Sequence, residues 1–173
     1  MKKVAIVYWL LPAKPERDLF CEVVRILREE FGAPNFEPHV TLFSTAKDRT
    51  SPKKVLKQIS MRPIRLTTCG VGFSSEFTKT LFVRFKSSGA LRKLVGDLGR
   101  AAKSRAKAPG DPHVSLLYKK LPRAAKKQLA AVMKLPFRSV VFDSIAAVRL
   151  TLPVHTGADV KKWKVIAKKS LRR

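Results

Sequence analysis

The chain has 173 residues, which is enough for one domain with a substantial core. Its apolar fraction of 45% is ordinary for a folded protein, whereas 37 Lys and Arg residues against 12 Asp and Glu give a net charge of +25. This balance favours polyanionic partners, with nucleic acid first and anionic membrane surfaces second. A solubilising surface without a specific partner is the alternative.

The cysteines and the N-terminus exclude further classes. Cys21 and Cys69 lack the number and spacing of a disulfide framework or a zinc site, and we expect both to be small buried side chains. The apolar N-terminal run mimics a signal peptide, but Pro12 and a charged segment follow it without a small-residue cleavage site. No apolar stretch approaches the length of a membrane span. We expect a cytoplasmic or nuclear monomer with no membrane partner.

The first half of the chain is predicted to alternate between strands and helices. Residues 3–12, rich in Val, Ile, Tyr and Trp, indicate a strand. Apolar residues at helical spacing indicate a helix from Pro15 to about Phe31, which Gly32 ends. Further elements follow in the order of a strand over 38–43, a short helix that begins at Ser51 and Pro52, and an extended segment over 63–73.

The same order then recurs. The second series comprises a strand over 79–86, a helix over 88–106, a strand over 112–118, a helix from Pro122 to about Lys134, a strand over 137–150 and a closing strand over 161–168. Val7 precedes His39 by 32 residues, and Leu81 precedes His113 by 32 residues. This repetition predicts a duplicated unit. We expect one domain, 1–173, with a first lobe over roughly 1–75, a second over roughly 76–173, and terminal strands exchanged between them.

Two short segments nearly repeat each other within these units. Residues 38–43 read PHVTLF and residues 112–118 read PHVSLLY, and they contain two of the three histidines. Residues i and i+2 of a strand point to the same face, so each copy presents an imidazole beside a hydroxyl. A single histidine in an apolar strand is more often structural, but the duplication favours catalysis by the pair. A pseudo-twofold between the lobes would bring the two strands face to face.

The paired side chains suit acid–base chemistry on a phosphate ester. Histidine titrates near pKa ~6.5, so one of His39 and His113 can accept a proton from water while the other protonates a departing ribose oxygen. Thr41 and Ser115 would donate hydrogen bonds to the non-bridging phosphate oxygens. Tyr118 is a candidate for stacking on a base or ribose, with packing at the strand end as the alternative. We expect neither a metal nor another cofactor, since no metal-ligand spacing is present.

These motifs resemble those of the 2H phosphoesterase superfamily, whose members carry two His-x-(Thr/Ser)-x motifs. Within it the chain is similar to the cyclic phosphodiesterases and the LigT-like RNA 2',3'-cyclic phosphodiesterases. The resemblance implies an α+β, bilobal LigT-like fold, with two pseudo-symmetric lobes whose antiparallel sheets and flanking helices surround a central cleft. It implies opening of 2',3'-cyclic phosphates on RNA ends or nucleotides to a 2'-phosphate, with His39 as proton donor and His113 as proton acceptor. Ser115 stands where many bacterial members have Thr.

Several alternatives remain open at this point. The high charge is also consistent with an RNA-binding module that lacks turnover. RNA 2'-5' ligation and 3'-end exonuclease activity would use the same site, and an RNA end, a mononucleotide and an ADP-ribose cyclic phosphate are not distinguished as substrates. Tyr8 and Trp9 point to opposite faces of the first strand, so at most one lines the cleft. We expect Phe43 on the His39 face and His155 in a loop or at the surface.

Overall fold

The computed structural model describes residues 1–45 and 50–172, which form seven strands and five α-helices. The strands are β1 (Lys3–Pro12), β2 (Val40–Thr45), β3 (Ile64–Phe73), β4 (Leu81–Phe85), β5 (His113–Leu117), β6 (Ser139–Leu152) and β7 (Lys164–Ser170). The helices are α1 (Glu16–Phe31), α2 (Pro52–Lys57), α3 (Gly89–Ala101), α4 (Arg123–Val132) and α5 (Gly157–Val160), with a 3-10 turn at Phe77–Lys79.

All strand pairings are antiparallel, and the sheet closes on itself. The strand order is β1-β2-β5-β4-β3-β6-β7, and β1 also pairs with β6. Strand β6 can do this because its 14 residues pair with β1 along one edge and with β3 and then β7 along the other. The expected α+β fold with antiparallel strands and flanking helices is confirmed. The division into lobes at about residue 75 stays a prediction.

The strands that carry the two motifs are neighbours in this sheet. Val40 of β2 and Val114 of β5 form a bridge between them. The expected face-to-face arrangement is therefore wrong, because the two strands meet edge to edge. Each motif presents its side chains to the same face of one continuous sheet.

Helices α1 to α4 form where the sequence pattern indicates, although α3 ends earlier than predicted, whereas α5 was not predicted. Helix α1 buries Phe20, Val24 and Leu27 against the sheet, and Gly32 ends it in the left-handed conformation with φ 61°. Helix α3 ends at Ala101 rather than near residue 106, because the chain turns back after it. A side chain on Gly99 would lie 2.7 Å from the Ala106 Cβ, so the returning chain requires glycine there.

Both cysteines are exposed rather than buried, so that expectation is wrong. Cys21 lies on the outer face of α1, and Cys69 lies on β3. None of the helices in the described ranges has the length and apolar character needed to cross a membrane.

Candidate active site

The bridge between β2 and β5 brings the four motif side chains together. Extending the Val40–Val114 register by one residue in each direction places His39 opposite Ser115 and Thr41 opposite His113. All four side chains line one cavity of about 530 Å³. The His39 and His113 rings therefore lie diagonally opposite each other in a group of four side chains. Each ring has one hydroxyl two residues along its own strand and the other hydroxyl directly opposite on the neighbouring strand.

A β-bulge at Leu42 sets the face on which the first motif lies. Tyr8 pairs with Phe43 whereas Trp9 pairs with Thr41, so Leu42 is the extra residue of β2. Because of this bulge, Phe43 turns into the core and stacks on Tyr8, with ring centroids 4.9 Å apart. The expectation that Phe43 shares the His39 face is therefore wrong. Of the two aromatic residues of β1, Trp9 lines the cavity, and Tyr8 lies in the core.

The second motif contains a bulge at the equivalent position. Leu81 pairs with Leu117 whereas Phe82 pairs with Ser115, which leaves Leu116 as the extra residue of β5. Leu42 and Leu116 both lie three residues after the motif histidine. The duplication therefore extends to an irregularity of the backbone.

Both histidine rings are held by the backbone carbonyl two residues before them. His39 Nδ1–H donates to the Glu37 carbonyl at 2.6 Å, and His113 Nδ1–H donates to the Asp111 carbonyl at 2.8 Å. A carbonyl oxygen can only accept, so each neutral ring carries its proton on Nδ1. The unprotonated Nε2 of each ring is then available for chemistry in the cavity.

The residues that supply these carbonyls are themselves fixed by ion pairs. Arg17 of α1 pairs with the Glu37 carboxylate. Lys79 and Arg84 pair with the Asp111 carboxylate at 2.8 and 3.3 Å. These two acidic residues were not among the predicted site residues, although the repeat extends to them, since Glu37 and Asp111 each precede a Pro-His dipeptide.

The two rings differ in their surroundings. His39 is 7% exposed and stacks on Trp9, with ring centroids 3.8 Å apart. Burial lowers the pKa of His39 to about 4, against an opposing hydrogen bond from its ring to the Glu37 carbonyl. His113 is half-buried and meets Phe82 edge-on. Burial also lowers the pKa of His113 below its usual value, and the nearby Lys79 ammonium contributes to this.

The three predicted substrate-binding side chains are placed differently. Thr41 is exposed to the cavity. The Ser115 hydroxyl is buried and donates to the Thr78 carbonyl at 2.8 Å. Tyr118 lines the cavity with 2% of its surface exposed and stacks on Phe36 at 3.7 Å. Burial raises the pKa of Tyr118 well above its usual range, so it remains a neutral phenol.

Two segments that sequence reasoning did not assign to the site complete the cavity wall. The 3-10 turn contributes Thr78 and Lys79, and the segment after β6 contributes Val154 and Trp163. Neither segment has a periodic pattern that would identify it. His155 is an exposed loop residue at the cavity edge, in agreement with the expectation.

The segment after β6 is held in place by the carboxylate of Asp159. It accepts hydrogen bonds from the backbone N–H groups of His155 and Thr156 and from the Lys2 ammonium. These contacts hold the pKa of Asp159 far below its usual range. In the same segment, Trp163 lies edge-on to Trp9 with centroids 5.3 Å apart, so it covers the aromatic ring that supports His39.

Within residues 1–45 and 50–172, no three His, Cys, Asp or Glu side chains come together as a metal-binding group would require. The two motifs and Lys79 together bring two imidazoles, two hydroxyls and an ammonium group to the cavity.

Solved structures share this fold. Escherichia coli LigT complexed with 3'-AMP superimposes with a TM-score of 0.56 at 14% identity, and the match covers 98% of this chain and 99% of LigT. The Thermus thermophilus protein TT0787 gives a TM-score of 0.56 at 19% identity, covering 97% of this chain and 98% of that one. At these identities the likeness establishes the fold.

Sequence comparison gives the family. A curated cyclic phosphodiesterase from Arabidopsis thaliana is 25% identical over 130 residues, which are 73% of this chain and 72% of the relative. The model of the 2'-5' RNA ligase superfamily matches residues 17–152, a span that contains both histidine motifs. The identification as a 2H phosphoesterase is thus confirmed, and the chain belongs to the 2'-5' RNA ligase superfamily.

Proposed function

We propose that this protein is a metal-independent phosphodiesterase that hydrolyses 2',3'-cyclic phosphates on RNA ends or nucleotides and leaves a 2'-phosphate. One observation carries the proposal. Two imidazoles, each with Nδ1 bonded to a backbone carbonyl, share a cavity with two motif hydroxyls. The names of the similar proteins support it, since one is a cyclic phosphodiesterase and E. coli LigT was crystallised with 3'-AMP and with ATP.

In the proposed reaction, one ring removes a proton from water, whose oxygen forms a new bond to phosphorus. The bond from phosphorus to O3' breaks, and the second ring protonates O3' to give the free hydroxyl. The family resemblance assigns donation to His39 and acceptance to His113. Since the unliganded pKa of His39 is about 4, the donor role requires the bound phosphate anion to raise this pKa.

The hydroxyl groups contribute unequally to phosphate binding in this proposal. Thr41 can donate directly to a non-bridging oxygen, where negative charge increases in the transition state. Ser115 has a single hydroxyl proton and gives it to the Thr78 carbonyl, so it contacts the phosphate only after rotating away from that carbonyl. Lys79 adds a positive charge at the same side of the cavity.

The proposal is tested by incubating the protein in EDTA with an oligonucleotide that ends in a 2',3'-cyclic phosphate. We expect ring opening to a 2'-phosphate, and losses of about 10²–10⁴-fold in kcat for His39→Ala and for His113→Ala. The matched control is His155→Ala, which removes the third histidine without removing a carbonyl-anchored ring and should retain activity within a few-fold.

The open alternatives give different results in the same assay. An RNA-binding module without turnover would bind the oligonucleotide and leave the ring closed, and neither histidine variant would alter binding. Ligation would require a ribose hydroxyl in place of water, so an added RNA with a free 5'-hydroxyl would be consumed. A panel from a cyclic mononucleotide to a tRNA fragment would identify the substrate.

A further inference from the structure

A second cavity lies outside the site, between the end of α2 and the end of β7. Its volume is about 930 Å³, which is larger than that of the catalytic cavity. We call it the α2–β7 cleft, and its lining residues are Lys57, Ile59, Ser60, Met61, Arg62, Lys168, Lys169, Ser170 and Arg172. Five of these nine side chains are cationic, and none is a carboxylate.

Most of these cations are free to bind a ligand. Lys57, Arg62, Lys168 and Arg172 are exposed, and none of them pairs with a carboxylate in the described part of the chain. Lys169 is different, since its Nζ donates to the Lys57 and Ile59 carbonyls and so connects β7 to the end of α2. The cleft is thus lined by four exposed positive charges that no carboxylate of the described residues neutralises. Their mutual repulsion costs free energy, and a bound anion would remove this cost.

The position of the cleft connects it to the catalytic cavity. Trp163, which lines the catalytic cavity, directly precedes β7, whereas Lys168 and Lys169 lie near the other end of the same strand. At about 3.3 Å per residue, the strand carries the chain about 20 Å from Trp163 to Lys169. Lys161, Lys162 and Lys164 are exposed at the Trp163 end, so both ends of β7 carry positive charge.

We propose that the α2–β7 cleft binds the sugar-phosphate backbone of a single-stranded RNA whose 3' end occupies the catalytic cavity. A distance of about 20 Å corresponds to roughly six stacked nucleotides at about 3.4 Å each. Binding of RNA to the cleft follows from the residues of the cleft and does not depend on the proposed catalytic activity. Its corollary, that oligonucleotides are better substrates than cyclic mononucleotides, rests on the proposed function.

The test compares two variants that remove equal charge from exposed positions. The cleft variant is Lys57→Gln, Arg62→Gln, Lys168→Gln. The control variant is Lys103→Gln, Lys127→Gln, Lys134→Gln, whose residues are also exposed and form no ion pair in the described structure. The probe is a fluorescent twelve-nucleotide RNA with an ordinary 3'-hydroxyl, so that binding is measured without any requirement for catalysis.

We expect the cleft variant to bind this RNA about tenfold more weakly at 0.1 M salt. The slope of its log affinity against log salt should become shallower by about 2, because three phosphate contacts are lost and each contact to a single strand contributes about 0.7. The control should lose less than twofold in affinity. With a cyclic-phosphate oligonucleotide the cleft variant should raise KM, and with a cyclic mononucleotide it should leave both kcat and KM unchanged.

Equal RNA affinity in the two variants would overturn the proposal. The proposal would also be overturned if the cleft variant lost binding to phosphatidylserine vesicles but bound RNA as well as the wild type does. That result would show that the cleft binds a membrane surface. If the cleft variant loses RNA affinity while the wild-type protein opens no cyclic phosphate, the cleft proposal survives and the proposed function fails. Thermal melts of both variants establish that they are folded.

Discussion

The two histidines have the same backbone anchor but different surroundings, and this difference controls their protonation. His39 is enclosed between Trp9 and the segment that bears Trp163, so charging its ring means removing the imidazolium from water. His113 has part of its ring exposed and lies near the carboxylate of Asp111, whose charge opposes the effect of burial on the pKa. Charging the ring of His39 in the unliganded protein therefore carries a larger desolvation cost than charging the ring of His113.

This asymmetry predicts an acidic optimum for kcat/KM. The reactive form carries one proton on the two rings, and the pKa values are about 4 for His39 and below 6.5 for His113. Above both values neither ring holds the proton that the leaving oxygen needs, and below both values neither ring can accept one. We expect a bell-shaped profile with its maximum between about pH 4 and pH 6.5, because kcat/KM reports the free enzyme.

The kcat profile should lie at higher pH than the kcat/KM profile, since the bound phosphate raises the pKa of both rings. Initial rates from pH 3.5 to 8.5 at low and saturating substrate measure the two profiles. His155→Ala should reproduce both wild-type curves. A kcat/KM maximum at or above pH 7.5 would contradict the burial argument.

At the scale of elements, the strands and most helices could be predicted because each has a local signal. The helical spacing of Phe20, Val24 and Leu27 and the stop at Gly32 are examples. The bulges could not be predicted, since Leu42 and Leu116 are buried among apolar neighbours and the sequence does not show on which face they lie. The prediction that Phe43 lies on the same face as His39 was therefore wrong. His39 and Thr41 both precede the bulge, so their position on one face could be predicted.

Glycine in β3 permits the packing beside the second histidine. Gly72 pairs with Phe82, and a Cβ at this position would lie 2.8 Å from the Phe82 ring. That ring is buried and contacts His113 edge-on. We expect Gly72→Ala to lose about 1–3 kcal/mol of unfolding free energy through overpacking and to lower kcat by displacing the ring.

The control for this substitution is Gly110→Ala, three residues before His113, where an added Cβ would meet nothing within 4 Å. It should change the unfolding free energy by less than about 0.5 kcal/mol and leave kcat unchanged. Urea unfolding and kcat on a cyclic mononucleotide compare the two variants. If Gly72→Ala matches Gly110→Ala in both measurements, the close packing of Phe82 has no role in placing His113.

At the scale of the whole molecule, charge opposes compactness. A chain of 173 residues with a net charge of +25 folds to a radius of gyration of about 16 Å, so its cations repel one another over short distances. The screening length falls from about 30 Å at 0.01 M salt to about 8 Å at 0.15 M salt. It is therefore longer than the radius of gyration at low salt and shorter than the radius at high salt. The melting temperature should therefore rise over this range, by about 2–4 °C for each 1 kcal/mol of repulsion removed.

Melting curves of the two charge variants separate this general repulsion from the local effect of the α2–β7 cleft. Each variant removes three of the 25 net charges, which leaves +22. If repulsion is spread over the surface, both should melt higher than wild type at 0.01 M salt and should show an equally reduced dependence on salt. A melting temperature that does not change with salt in any of the three proteins would contradict this. A rise confined to the cleft variant would mean that the repulsion is concentrated in the cleft, which is the stability cost expected of a surface that binds a polyanion.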